Sequence, residues 1–433
     1  MLEQTTREQE GKHLTACESE SAKQTTVRQQ QEIKQLKAIL SSWQITPPSY
    51  QDCQHEIDQL KAILQVITSE QNTTYRVYGP KQDVHTARLI ALDDIIDDPR
   101  RLHAVTLCTV EQFDYILHRY TAYVKKHGDT TLFWDDDGRA SDPGNRSKIY
   151  MRHALLLSLM HKKGGHTQSE LGAIFGIDQS NINRSLSISN KILAEVLPTA
   201  RKMTEKIKEA ETLEDVEKII SPDPDTGKIT VVVDGTHVPI DRSKDKDQRK
   251  ADYSGKKKAF TLNTNVMTDT RKRMMWIGKT APGSTHDLTL LKEDPPDLGI
   301  LTQTMSSADT LENDKPVVYF DKGYQGISKL YPGADTKQPI KRRRNSDKKT
   351  GGLTPEELAY NKEISSVRIV VEHSIGMLKR YRIITRPYCG TAEELNDEIN
   401  IISGLVNLAI DWDRIKSENK LLMQELARRR ASR

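Results

Sequence analysis

The chain has 433 residues and a formal net charge of +4, with 36% hydrophobic, 5% aromatic and 29% charged residues. This length allows two or three domains, and the composition is typical of a large hydrated surface rather than one apolar globule. The net charge is too small to indicate a nucleic-acid partner by itself. Four scattered cysteines without a CxxC pair argue against a disulfide framework or a structural zinc site.

No early apolar run resembles a signal peptide, and no run approaches the roughly 18 residues that cross a bilayer. We therefore expect an intracellular protein, located in the cytoplasm or nucleoid if the host is prokaryotic. The first segment, residues 1–75, is polar and repeats EIKQLKAIL (Glu32–Leu40) as EIDQLKAIL (Glu56–Leu64). Isoleucine and leucine at a and d positions predict two short coiled-coil helices, and a partly disordered leader is the alternative.

Residues 76–145 are predicted to be a helical segment followed by a loop. VEQFDYILHRYTAYV (Val110–Val124) has helical periodicity, whereas FWDDDGRASDPGN (Phe133–Asn145) is typical of an exposed turn. Adjacent aspartates on such a loop cannot all face one ion. We therefore interpret them as solvated rather than metal-binding.

Residues 146–200 are predicted to form an all-helical unit that begins with the amphipathic helix KIYMRHALLLSLMHKK. Thr167 and Glu170 form a capping box for the next helix, and Gly176 makes a turn before a further helix. Two helices joined this way are typical of a helix-turn-helix, whose second helix enters the DNA major groove. An ordinary helical hairpin is the alternative.

In the helix-turn-helix interpretation, Leu171, Ile174 and Phe175 form the apolar face of the first helix. Ile182 and Leu186 point the second helix inward. The side chains left to face DNA are Gln179, Ser180, Asn181, Asn183 and Arg184. Asparagine and glutamine can pair with adenine, and arginine can pair with guanine.

After a charged helical linker at residues 201–227, the sequence becomes rich in β-branched residues. The predicted strands are ITVVVD (Ile229–Asp234), FTLNTNVMTD (Phe260–Asp269), RKRMMWIGKTAPG (Arg271–Gly283) and PVVYFD (Pro316–Asp321). The middle two form a hairpin at Thr270, THDLTLLKE begins a helix, and further helices follow Asp321. This order predicts an α/β domain with a mixed sheet at residues 228–412. A basic C-terminal helix or mobile tail follows at residues 413–433.

Asp234 and Asp321 each end a predicted strand and are each followed closely by glycine. The carboxyl ends of neighbouring parallel strands share one sheet edge, where open α/β sheets bind ligands. Glycine lets the backbone turn sharply at this edge and approach a substrate. We therefore expect the two carboxylates to lie close together.

A predicted helix supplies a third carboxylate. Its apolar residues recur at helical spacing and form a buried stripe: Ile364, Val367, Val371, Ile375 and Leu378. Arg368, Glu372 and Lys379 share a neighbouring face. We expect Glu372 to complete a site for two Mg²⁺ ions, with Mn²⁺ as a substitute, and the two cations to meet phosphate oxygens. The set contains no histidine or cysteine, which disfavours zinc.

These stretches resemble the DDE transposases of the IS5 type, whose eukaryotic relatives are the Harbinger transposases. The matching segments run in order through most of residues 229–412: VVVDGTHVPI, DYSGKKKAFTLNTNV, APGSTHDLTLL, YFDKGYQGI and SSVRIVVEHSIGMLKRYRI. Arg368, Glu372 and Lys379 match the family's terminal signature. The tyrosine that often precedes that arginine by three positions is replaced by Ser365.

The resemblance implies an RNase H-like catalytic domain in which Asp234, Asp321 and Glu372 are the catalytic and metal-binding triad. Asp287 also fits a family pattern and is given a supporting role, since we expect it to cap a helix. The implied reaction is cleavage of double-stranded DNA at element ends and transfer of the freed 3′-OH into target DNA. Pairing of two ends implies a homodimer or a higher oligomer.

Basic stretches add candidate contacts to the DNA backbone. The candidates are Lys256, Lys257, Lys258, Arg342, Arg343 and Arg344. The sequence thus predicts an active cut-and-paste transposase. The alternatives are a domesticated DNA-binding protein that keeps the fold without catalysis, and a nuclease that cuts without strand transfer.

Overall fold

The computed structural model describes residues 92–127, 133–134, 149–343 and 352–431. The predicted coiled-coil repeats and the aspartates at 135–137 lie outside the described residues. All described residues belong to one compact unit, which spans residues 80–433. Within them, no helix has the length and apolar character needed to cross a membrane. Cys108 is buried, Cys389 is exposed, and both are free thiols.

The part of the chain before the sheet is helical. Residues 92–97 are helical, and the helices after them are α1 Pro99–Thr106, α2 Val110–His127, α3 Met151–Gly164, α4 Gln168–Phe175, α5 Gln179–Val196, α6 Ala200–Lys208 and α7 Leu213–Ile219. A short parallel pair, β1 Phe133–Trp134 and β2 Ile149–Tyr150, precedes α3. The prediction of a loop beginning at Phe133 is therefore wrong for its first two residues, which pair as a strand.

A curled mixed sheet follows. Its strands are β3 Thr230–Pro239, β4 Tyr253–Ser254, β5 Ala259–Asp269, β6 Met274–Ile277, β7 Ala281–Pro282, β8 Val317–Phe320 and β9 Asp335–Lys337. The order is β4-β5-β3-β8-β9, with β6 and β7 also paired to β5. β3 is antiparallel to β5 and parallel to β8, and β8 is parallel to β9. The predicted α/β architecture with a mixed sheet is confirmed.

Helices connect and cover the strands. They are α8 Lys246–Asp252, α9 Asp287–Glu293, α10 Ile300–Ser306, α11 Pro355–Leu378, α12 Ala392–Ile410, α13 Trp412–Glu418 and α14 Lys420–Ala431, with 3-10 turns at Ile327–Lys329 and Arg382–Ile384. The long helix α11 packs on β3, β5 and β8. This helix carries Arg368 to the sheet.

Local signals in α4 behave largely as the sequence predicts. The hydroxyl of Thr167 accepts from the backbone N–H of Glu170, whose carboxylate accepts from the N–H of Thr167. Gly165 and Gly176 end α3 and α4 in the left-handed conformation. However, the placement of Ile174 on the apolar face is wrong, because this side chain is 40% exposed.

Helix α3 is a core helix rather than the predicted amphipathic one. Every residue from His153 to Met160 is buried. The reason is that α1, α2, α5 and the 3-10 turn at Arg382–Ile384 all pack around it. An apolar stripe is not needed when almost all sides of a helix face other elements.

The C-terminal helix is docked rather than mobile. The guanidinium of Arg430 donates to the carboxylate of Asp114, at 3.0 Å, and to the carbonyl oxygen of Ile96, at 2.6 Å. Helix α14 packs against α2. The prediction of a mobile basic tail is therefore wrong for the residues up to Ala431.

A buried polar network joins the helical part to the last long helix of the sheet region. Lys162 on α3 donates to Glu398 on α12 and to Asn190 on α5, and the Asn190 amide donates to Glu398. Burial would raise the pKa of Glu398. Attraction to Lys162 and His161 and the hydrogen bonds from Lys162 and Asn190 instead hold that pKa below its ordinary value. The carboxylate is therefore ionised at neutral pH.

We predict that Lys162→Met lowers the free energy of unfolding by about 3–5 kcal/mol, because it leaves the Glu398 charge buried without its partner. Adding Glu398→Gln should restore most of this loss. The deficit of the single variant should already shrink as pH falls towards the ordinary pKa of glutamate, because burial without Lys162 raises the pKa of Glu398 and the carboxyl becomes protonated in the variant before it does in the wild type. Urea denaturation over a pH series measures both effects. A single variant as stable as the wild type at neutral pH would contradict the prediction.

Candidate active site

Strand register places the two predicted aspartates together. The parallel pairing of β3 with β8 ends at Val233 and Phe320, so Asp234 on β3 and Asp321 just after β8 follow the same last pair of residues. The prediction that neighbouring parallel strands carry them is confirmed. Asp234 does not end its strand, however, because β3 continues to Pro239 in antiparallel pairing with β5.

Arg368 on α11 lies between these two carboxylates. Its Nη2 is 3.1 Å from Oδ2 of Asp234, and its Nη1 is 3.1 Å from Oδ1 of Asp321. The three side chains are only 10%, 16% and 19% exposed, respectively. One guanidinium therefore supplies the positive charge that two nearly buried carboxylates need. Both Nη atoms of Arg368 face these carboxylates, and the contact of Arg368 with phosphate stays a prediction.

Asp287 is the third carboxylate of this cluster. It is the first residue of α9 rather than its cap, which is His286. The Asp287 carboxylate accepts from Asn263 Nδ2 at 2.8 Å and lies 3.5 Å from Lys256 Nζ. A Cβ atom on Gly235 would lie 2.6 Å from Oδ1 of Asp287. Gly235 is thus required for this close approach, not for the sharp turn that the sequence suggested.

Buried asparagines on β5 hold Asp287 in place. Asn265 Nδ2 donates to the backbone oxygen of Asp287 at 3.0 Å, and Asn265 Oδ1 accepts from the hydroxyl of Tyr324 at 2.7 Å. Sequence reasoning missed Asn263, Asn265 and Tyr324. Two asparagines spaced two residues apart in an otherwise buried strand were the available signal, because both face one side of the sheet.

The electrostatics of the cluster follow from burial and crowding. Burial raises the pKa of Asp234, the charges of Asp321 and Asp287 raise it further, and Arg368 opposes the shift. The pKa of Tyr324 is also raised, first by burial and then by the three aspartates. An added cation would therefore be favoured beside Asp234.

Glu372 is not brought to this cluster. It is exposed on α11, one turn after Arg368, and no hydrogen bond or ion pair joins it to the aspartates. In the part of the chain that the structure describes, no three Asp, Glu, His or Cys side chains are arranged to hold a metal ion. The third carboxylate near Asp234 and Asp321 is that of Asp287.

The donor set nevertheless fits a divalent cation of the hard type. The aspartates offer only oxygen atoms, which suit Mg²⁺ or Mn²⁺. The guanidinium of Arg368 already lies between Asp234 and Asp321, which marks a position where positive charge is stabilised. His237 is nearby, and burial, together with Lys257, Lys256 and Lys379, lowers its pKa to about 4. It is therefore neutral at pH 7.

An open cleft of roughly 710 Å³ borders the cluster. Asp287 and Asp321 line it together with four cations: Lys256, Lys322, Lys341 and Arg342. Of the predicted backbone contacts, Lys256 and Arg342 thus face the cleft, and Lys257 and Lys258 are exposed beside it in the turn before β5. A polyanion such as a phosphodiester chain fits this cation-lined cleft.

Other predicted contacts lie elsewhere. Arg343 pairs with Glu357 at 2.9 Å, and Arg344 lies outside the described residues. Of the candidates on α5, Asn181 is half-buried. The other four are exposed: Gln179, Ser180, Asn183 and Arg184. Gln168 donates to Asn183 at 3.1 Å, so α4 helps to orient one of these side chains.

Comparisons with known proteins match the part of the chain that carries the cluster. Residues 233–407 match the family model described as DDE superfamily endonuclease. The chain is 28% identical over 273 residues to a probable transposase for insertion sequence element IS702 from Microchaete diplosiphon, an alignment that covers 63% of this chain and 85% of that protein. No solved structure matches the chain significantly.

We predict that Arg368→Gln lowers stability by about 3 kcal/mol in metal-free buffer, because two nearly buried carboxylates lose their shared counter-charge. Mg²⁺ or Mn²⁺ should restore stability in this variant more than it raises that of the wild type, because the ion no longer competes with the guanidinium. Thermal unfolding with EDTA and with each ion measures this. Arg368→Lys, which keeps one charge, is the matched control. An equal ion-dependent gain in all three proteins would contradict the prediction.

Proposed function

Because residues 233–407 match the family model of the DDE superfamily endonucleases, we propose that this enzyme is a transposase of the IS5 type. It cleaves DNA at the ends of a mobile element and transfers the freed 3′-OH into target DNA. The observation that carries this proposal is the pair Asp234 and Asp321, held at adjacent parallel strands beside a cation-lined cleft.

The sheet supports an RNase H-like assignment of the catalytic domain. A long central strand, β3, has an antiparallel hairpin on one side and two parallel strands on the other. The helix α11 returns across this sheet and carries Arg368 and Glu372. The central strand, the end of its parallel neighbour and the covering helix thus each carry one carboxylate of the proposed triad.

Each group has a chemical task. Asp234 and Asp321 would hold the divalent ions, which supply Lewis-acid stabilisation and activation of the attacking oxygen when bound. Lys256, Lys322 and Lys341 neutralise and position the phosphodiester backbone in the cleft. With cations held by Asp234 and Asp321, Arg368 would be released from these carboxylates and could donate to a phosphate oxygen.

Glu372 completes the triad in the DNA-bound enzyme, with Asp287 in support. Glu372 lies one turn from Arg368 on a single helix, so a small movement of α11 changes the surroundings of both side chains. The buried site of Asp287, beside Gly235, favours a role in holding Asp234 and the cations in place. Two copies of the chain act together when two element ends are joined.

Helices α4 and α5 act as a helix-turn-helix that binds DNA. The exposed side chains at the start of α5 support this role, since residues near the start of a recognition helix contact base edges. Ile174 on α4 is also exposed, which adds an apolar side chain to the surface of this helix pair. Lys379, at the end of α11, lies near Asp234 and serves as a phosphate contact.

A DNA-binding regulator without catalysis is the second candidate. The separation of Glu372 from the aspartates and the ion pairs of Arg368 favour it. A strand-transfer assay distinguishes the two functions. With a precut duplex and Mg²⁺, joined product supports a transposase, cutting without joining supports a nuclease, and neither product with intact DNA binding supports the regulator.

We predict that Asp234→Asn, Asp321→Asn and Glu372→Gln each abolish strand cleavage with Mg²⁺ while DNA binding is largely kept, because each removes a carboxylate that holds the ions. Asp287→Asn should slow cleavage without abolishing it. Gel assays of cleavage and binding are run on the same preparations. If the Glu372 variant cuts normally and the Asp287 variant does not cut, then Asp287 is the third residue that holds the ions and Glu372 is not.

We predict that Arg184→Ala weakens binding by about 1–3 kcal/mol to sequences that the wild type selects from a random duplex pool, and relaxes the selection at one base pair. The reason is that a bidentate contact to a base edge is lost. Lys206→Ala on α6 removes one exposed cation elsewhere and is the control. Unchanged selection by the Arg184 variant would argue for an ordinary helical hairpin.

A further inference from the structure

A short basic segment follows α11. We call Lys379–Tyr388 the basic strap. Its exposed residues include four cations: Lys379, Arg380, Arg382 and Arg386. Between them, Tyr381, Ile383 and Ile384 are buried in the core. The backbone of the strap is therefore fixed by packing, and its cations face outward.

The strap is anchored at both ends to elements of proposed function. The N–H of Tyr388 donates to the carbonyl oxygen of Pro239 at 2.9 Å, at the end of the strand that carries Asp234. The guanidinium of Arg386 donates to the carbonyl oxygen of Gly165 at 3.3 Å. A Cβ atom on Gly165 would lie 3.1 Å from the backbone of Arg382, so the strap packs closely on this turn.

Gly165 ends α3 only two residues before Thr167, the cap of α4. The strap thus bridges the turn that introduces the α4–α5 pair and the strand that leads to the acidic cluster. Along the chain it begins at Lys379, whose surroundings include Asp234 and Lys257.

The strap concentrates like charges. The N–H of Arg386 donates to the carbonyl oxygen of Arg382 at 3.0 Å, so the two arginines stand one helical turn apart. Both lie near His166, whose pKa is lowered first by burial and then by Arg386 and Arg382, with Glu170 opposing. Like charges at this spacing destabilise an isolated turn. A polyanion along the strap would offset the repulsion.

We propose that the basic strap binds the phosphate backbone of the DNA that runs from the recognition helix α5 to the aspartate cluster. The inference rests on the proposed function and adds to it a phosphate-binding surface. Arg380, Arg382 and Arg386 supply the new contacts, and Lys379 is its end nearest the cleft. Phosphate contacts of this kind fix the register of a protein on duplex DNA without reading bases.

The test is salt-dependent binding of the full chain to a fluorescein-labelled, mixed-sequence DNA duplex in EDTA, where no cleavage takes place. The variant Arg380→Gln, Arg382→Gln, Arg386→Gln should bind at least about tenfold more weakly at low salt. The slope of log affinity against log salt should flatten by about 0.9 for each lost phosphate contact. Lys206→Gln, Lys218→Gln, Lys420→Gln removes the same charge from α6, α7 and α14 and should keep the wild-type slope.

Arg380→Gln alone is the second variant, because the described structure gives this side chain no hydrogen bond that folding would lose. It should flatten the slope by about 0.9. Wild-type affinity and slope in both strap variants would overturn the proposal. If binding depends on the strap but no cleavage takes place in Mg²⁺, the result would contradict the transposase function and still support DNA binding by the strap.

Discussion

The contact of Arg368 with Asp234 and Asp321 is the interaction on which the proposed catalytic region depends. Adjacent parallel strands lie about 4.8 Å apart, so carboxylates at the same level repel each other strongly when they are shielded from water. The register of β3 and β8 imposes this arrangement. One guanidinium on α11 relieves it, and the packing of Val371 against Val232 holds that helix on the sheet.

The same sheet is tied to the helical part through α12. Lys162 and Glu398 form a buried ion pair across this boundary, and Asn407 on α12 bonds the backbone of Met274 on β6. These contacts fix the position of α12, because a shift of this helix along the sheet would leave buried polar groups unpaired. The proposed DNA-reading helix α5 and the aspartates are therefore parts of one body, and the basic strap lies across their junction.

Local sequence signals were sufficient for much of this fold. The capping box at Thr167, the hairpin at Thr270 and the parallel strands before Asp234 and Asp321 depend on neighbours in the chain, and the sequence predicts them. The full length of β3 could not be predicted, because its second half is kept extended by β5 rather than by apolar residues. The orientation of Asp287 depends in turn on Asn263 and on the missing side chain at Gly235.

The contacts of Arg368 also could not be predicted from the apolar stripe of its helix. The spacing of residues along a helix shows which face a side chain lies on, but it does not show which groups a long side chain reaches. The Nε atom of Arg368 is buried and has no acceptor among the described residues, so the two carboxylates satisfy the guanidinium only in part. An unsatisfied buried donor costs about 1–3 kcal/mol. A phosphate oxygen can accept from Nε as well as from Nη, whereas a divalent cation suits the carboxylates. A divalent cation beside Asp234 and Asp321, together with a phosphate oxygen at Arg368, would therefore replace the present ion pairs and also give Nε an acceptor.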